Sequence, residues 1–88
     1  MRVSFARKGW ADYQHWIVAD AKVLGKINDL IEDIRRSPFK GLGKPELLRS
    51  NRAGCWSRRM TDEHRLVYRV AGTGENQSVE ILQCRFHY

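Results

Sequence analysis

The sequence predicts an α+β domain in which two N-terminal helices pack on an antiparallel β-sheet. Three observations lead there. Apolar residues recur at helical spacing through the first third of the chain and alternate at a spacing of two through the last third. The strand-like runs of the last third are joined by short turns, which antiparallel neighbours allow and parallel ones do not. Helices first and strands afterwards separate the two layers. Eighty-eight residues give room for one core, so 1–88 reads as a single domain.

Arg2 to Phe5 is a candidate first strand. From Ala6, the residues Trp10, Tyr13 and Ile17 fall on one helical face, with Trp16 beside them. Asp20 caps a second helix, because its carboxylate accepts from the unpaired amides of the first turn. That helix carries an apolar stripe of Leu24, Ile27, Leu30, Ile31 and Ile34, with Lys, Asn, Asp and Glu between. Arg35 and Arg36 suit the negative end of the helix dipole, and Pro38 ends the helix. Both stripes read as core. The segment SPFKGLGKPELLRSNRAG, 37 to 54, has two prolines, three glycines and little periodicity. It reads as a long ordered loop, of the kind that carries function.

Three strands follow: Cys55 to Met60, Arg65 to Ala71, and Ser78 to Arg85, with turns at 61–64 and 72–76. In the middle strand Arg65, Val67, Arg69 and Ala71 point one way, and Leu66, Tyr68 and Val70 the other. One face is then free for the helices, and the other can expose arginine. His87 and Tyr88 prolong the last strand, so strand pairing is expected to hold the terminus.

The net charge of +6 is unevenly spread. Residues 35 to 69 contain ten Lys or Arg against Glu46, Asp62 and Glu63, a local excess of +7, while the remainder carries −1. Eleven of the sixteen cations are Arg, whose planar fork matches phosphate oxygens. A polyanion, an acidic protein partner and a merely solvated basic surface all fit that excess. No apolar run approaches the roughly 18 residues of a membrane span, and no secretory signal is visible in MRVSFARKGW. The expected compartment is the cytoplasm. Cys55 and Cys84 match no metal spacing and are read as small buried hydrophobes; no cofactor is implied.

The groups that a basic cleft could gather are Glu46 from the loop, Arg58, Arg59 and Arg65 from adjacent strands, and His87 with Tyr88 from the end. RNA can be cut by its own 2′-hydroxyl. A base removes that proton, the oxygen attacks phosphorus, and an acid protonates the departing 5′-oxygen. A carboxylate and an imidazole suit these two transfers. Guanidinium groups stabilise the phosphorane more than the ground state. Against this, a loop carboxylate is usually solvated or capping. His15 reads as a surface residue and His64 as a local hydrogen bonder within a turn.

The motifs GKPE (43–46), WSRR (56–59), EHRLVY (63–68) and the terminal HY, with Trp10, Tyr13, Trp16, Ile27 and Asn28, resemble the YoeB toxins of the RelE superfamily along nearly the whole chain. The resemblance implies a microbial-ribonuclease-like fold and a ribosome-dependent messenger-RNA endonuclease that acts in the A site. It implies inactivation by a YefM-like antitoxin, with a homodimer left open. By motif, Glu46 corresponds to the general base, Arg65 to the phosphate-stabilising arginine, His87 to the general acid and Tyr88 to an aromatic that positions substrate. Arg59, Arg58, Arg49 and Lys44 are expected to bind phosphate. Leu47, Arg49 and Cys55 depart from the residues common in that family. A gyrase-directed ParE-type toxin and a non-catalytic RNA- or ribosome-binding module are the alternatives. The first needs no carboxylate, arginine and histidine set, and for the second Glu46 would repel its ligand.

Overall fold

A computed structural model describes residues 1–49 and 52–87. The elements run β1 (Arg2–Phe5), α1 (Arg7–Ala19), α2 (Ala21–Arg36), β2 (Glu46–Leu47), β3 (Trp56–Arg59), β4 (Arg65–Ala71) and β5 (Ser78–Gln83). One five-stranded sheet has the order β1-β5-β4-β3-β2. The β2–β3–β4–β5 series is antiparallel, as short turns require. β1 instead pairs parallel with β5, which makes the sheet mixed. The expected long loop is interrupted by two residues of strand, Glu46 and Leu47, on the sheet edge.

The second helix follows its sequence. Asp20 Oδ1 accepts from the amides of Lys22 and Val23, and Ile27, Leu30 and Ile34 are fully buried. They meet Leu66, Tyr68, Val79 and Ile81 of the sheet in the main core. The first helix is turned relative to its aromatic stripe. Its buried residues are Gly9, Asp12 and Trp16, while Trp10 and Ile17 are about half exposed. The cause is how closely α1 approaches β5. A Cβ at Gly9 would collide with the carbonyl of Ile81. The buried Asp12 accepts from the backbone N–H of Cys84 at 3.1 Å. A carboxylate is thus placed on the core side beside Trp16, and the helix turns Trp10 and Ile17 outward.

Arg58 was expected on a phosphate-binding surface, but it is fully buried on the helix side of the sheet. Strand alternation decides this: Trp56, Arg58 and Met60 share the face that meets α2. All five of its N–H donors are used. Nε donates to Tyr68 Oη (3.1 Å), Nη1 to Asp33 Oδ2 (2.6 Å) and the Leu42 carbonyl, and Nη2 to the carbonyls of Ser37 and Lys40. Tyr68 in turn donates to the Pro38 carbonyl at 2.7 Å. The guanidinium therefore moulds the segment between α2 and β2.

Replacing Arg58 with Met should cost on the order of 3 kcal/mol or more, because it strands several buried acceptors together. Urea unfolding measures this, and a loss below about 1 kcal/mol would show that the loop does not depend on the guanidinium. Acid should act on the same cluster. The Leu42 N–H first, and Arg58 next, hold the Asp33 carboxyl below the ordinary carboxylate range. With the folded value depressed, the contribution is complete above the unfolded value of about 4 and is lost as pH falls through the lower folded value. Asp33→Asn should flatten that acid limb, as read by circular dichroism between neutral pH and about pH 2. An identical acid limb in the variant would contradict the assignment.

Candidate active site

Glu46 reaches the sheet through a sharp turn. Gly43 and Lys44 both have positive φ, 77° and 53°. A Cβ at Gly43 would press on Arg59, Leu30 and Arg58, so this is a glycine that both the conformation and the space demand. The Gly43 carbonyl accepts from Arg59 N at 2.7 Å, and two residues later Glu46 pairs with Ser57. Directly paired residues point to the same face. The row Glu46–Ser57–Val67–Gln83 therefore lies on the face away from the helices, with Arg59 paired to Arg65 on the same face two residues along. That face is not a flat basic sheet. Leu48, Cys55 and Val67, with Leu82, form a second small apolar cluster that seats the chain around position 48.

The structure brings Glu46, Arg59 and Arg65 onto one open face and separates Arg58 from them. Arg65 is half-buried, and its Nη1 donates to the carbonyls of Thr61 (2.7 Å), Asp62 and His64. All three bonds run through Nη1, so the turn fixes the guanidinium by one corner. Lys44, Glu46, Arg49, Arg59 and His87 are exposed. Among the described residues Lys8, Arg35, Arg36, Arg58 and Arg69 form ion pairs with carboxylates, and Lys44, Arg49 and Arg59 are not among these. Tyr88 lies outside the described residues.

The terminus is held, but not by prolonging β5. The strand stops at Gln83, and Phe86 takes a positive φ of 65°. Trp16 Nε1 donates to the Cys84 carbonyl at 2.7 Å. Arg65 N donates to the Phe86 carbonyl at 3.1 Å, and Phe86 N donates to His64 Nδ1 at 2.7 Å. The Arg85 guanidinium lies 4.6 Å from the Phe86 ring centroid. His64 is thus a hydrogen bonder, as its turn suggested, although its partner comes from the tail.

Gln83 did not stand out in the sequence. It is buried, its Oε1 accepts from Arg52 Nη2 at 2.6 Å, and its Nε2 reaches the carbonyls of Arg85 and His87 at 3.5 Å. A β-bulge at Val67/Tyr68 sets Gln83 opposite Val67. A polar residue at the end of an apolar strand was the available signal. The two cysteines are buried as expected, and burial, with Asp12 second, pushes the Cys84 thiol up to about 12. Such a thiol is a poor nucleophile.

Two helices on one face of a mixed sheet, and a carboxylate with arginines on the other, define a small RelE-like α+β domain. A family model described as the YoeB-like toxin of bacterial type II toxin–antitoxin systems matches residues 5–88, and the chain belongs to that family. It is 50% identical to the toxin YoeB of Streptomyces coelicolor, over the full length of both. The solved YoeB/ParE toxin from Agrobacterium tumefaciens is 53% identical, superimposes with a TM-score of 0.95, and is covered in full by a match to the whole chain. The toxin in a heterotetrameric YoeB–YefM complex from Staphylococcus aureus is 39% identical, with a TM-score of 0.86 over all of this chain and 98% of that one. No helix among the described residues is long and apolar enough to cross a membrane.

Gln83→Leu keeps the volume and removes the amide. It should lower stability by about 1–2 kcal/mol, seen as a drop of roughly 5 °C or more in the thermal midpoint. An unchanged midpoint would mean that Arg52 and the tail do not rely on this side chain.

Proposed function

We propose that this toxin is a messenger-RNA endonuclease that works on the ribosome, with Glu46 as base, Arg65 and Arg59 as phosphate ligands and His87 as acid. The observation that carries the reading is the common face of Glu46, Arg59 and Arg65, beside a tail held one residue short of His87. Glu46 takes the proton of a 2′-hydroxyl, and the 2′-oxygen forms a bond to phosphorus. The bond from phosphorus to the 5′-oxygen breaks, and that oxygen takes a proton from the His87 imidazolium. The Nε–Nη2 edge of Arg65 is a fork suited to the phosphorane oxygens. Arg49 and Lys44 add attraction for the backbone, and Tyr88 positions the substrate. The basic segment also suits an acidic, YefM-like antitoxin that folds over this face and neutralises it, in the cytoplasm.

The test is end-mapping of messenger RNA in a purified translation reaction. The upstream fragment should end in a 2′,3′-cyclic phosphate or 3′-phosphate and the downstream one in a 5′-hydroxyl. His87→Gln should slow cutting by a factor on the order of 10² to 10⁴ while ribosome affinity is kept. Downstream fragments with 5′-phosphates, or parental cutting by His87→Gln, would overturn the proposal.

A further inference from the structure

The tail depends on an atom contributed by another part of the chain. His64 sits in the β3–β4 turn, where its N–H donates to Thr61 Oγ1 and its carbonyl accepts from Met60 N, Thr61 N and Arg65 Nη1. The backbone of His64 is therefore fixed. Its ring is fixed too, edge-on to Trp16 at 4.8 Å between centroids and tilted against Phe86 at 5.6 Å. A ring held on both sides presents Nδ1 in one direction, and there it accepts from Phe86 N at 2.7 Å. To accept, Nδ1 must carry no proton, so the neutral ring holds its proton on Nε2. The next residue along is His87.

We infer that His64 is a positioning residue for catalysis, whose Nδ1 latches the Phe86 amide and thereby sets where the His87 side chain stands. This rests on the reading of His87 as the acid. Two contacts of one turn act together. The His64 ring holds Phe86 N, and the adjoining Arg65 N holds the Phe86 carbonyl. Both polar groups of one peptide-chain residue are thus tied to the residue pair that also carries the phosphate-binding Arg65. Base and acid sit on separate segments, the sheet edge and the tail. Their relative placement is maintained only if the tail is indexed to the sheet, and proton transfer tolerates little displacement. The positive φ of Phe86 is a conformation that an unlatched non-glycine residue leaves readily.

Two substitutions separate packing from hydrogen bonding. His64→Phe keeps the ring between Trp16 and Phe86 and loses the acceptor. His64→Asn gives up the ring but keeps an acceptor, Oδ1, near the position of Nδ1. In the ¹⁵N-labelled full chain, the parent should show a scalar coupling across the hydrogen bond between Phe86 N and His64 Nδ1. His64→Phe should raise hydrogen exchange at the Phe86 amide at least 10-fold. It should also slow single-turnover cutting of messenger RNA on programmed ribosomes by a factor on the order of 10 to 100, with ribosome affinity unchanged. His64→Asn should recover most of both. Absence of the coupling in the folded parent removes the latch outright. Loosened exchange with parental cutting in His64→Phe refutes the positioning role, and so does a His64→Asn variant that is folded, with the Phe86 amide protected, and yet cuts as slowly as His64→Phe. Parental cutting by His87→Gln would instead remove the acid assignment, while the coupling and exchange results would still report on the latch.

Discussion

A guanidinium cannot be taken out of water unless its donors find acceptors, and Arg58 is wholly out of water. Its solution fixes much of the site at a distance. Asp33 supplies one acceptor from the last turns of α2, and the carbonyls of Ser37, Lys40 and Leu42 supply three more from the loop beyond. A loop with few apolar side chains has little burial of its own to order it. Here it is wound around a cation in the layer between helix and sheet. Once Leu42 is pinned, Gly43 and Lys44 make their turn and Glu46 arrives at the edge of β3. The charge expected on a phosphate-binding surface instead supports the loop that leads to Glu46.

The two faces of the sheet divide the work. The helix-facing side carries the main core and tolerates ionic groups only where they are fully bonded, as at Arg58 and Asp12. The other side has a small apolar cluster at Leu48, Cys55, Val67 and Leu82, with polar groups around it. Exposed arginines alone would leave the sheet face without burial, and the cluster stabilises the nearby loop without covering Arg59 or Arg65. Arg69 is balanced by Glu80 across β4 and β5 at 2.7 Å, so it adds no net charge to this face.

The C-terminal residues are tied to three separate elements. Asp12 and Trp16 of α1 hold Cys84, His64 and Arg65 at the β3–β4 turn hold Phe86, and Gln83 connects Arg52 with the tail carbonyls. Few of these contacts bury much area. They are directional, so they fix position more than they add stability.

Periodicity and punctuation were enough to read most of the elements. The α2 stripe, the Asp20 cap, β4 and the two β-turn regions are local features, and local physics decides them. Motif likeness grouped Glu46 with Arg65, and strand pairing puts the two on the same face of the sheet. Three things were not local. Which side of α1 faces inward was decided by the close contact of Gly9 with β5, which outweighed the aromatic stripe. Whether Arg58 or Arg59 points to solvent was decided by the strand's orientation, because alternation says only that they differ. The tail's attachment was decided by atoms of Asp12, Trp16 and His64, residues 68 to 72 positions away for the first two contacts and 22 for the third. The sequence by itself determined the layers and the chemistry available. Tertiary packing decided which charges are buried, because that depends on partners that only folding brings within hydrogen-bond reach.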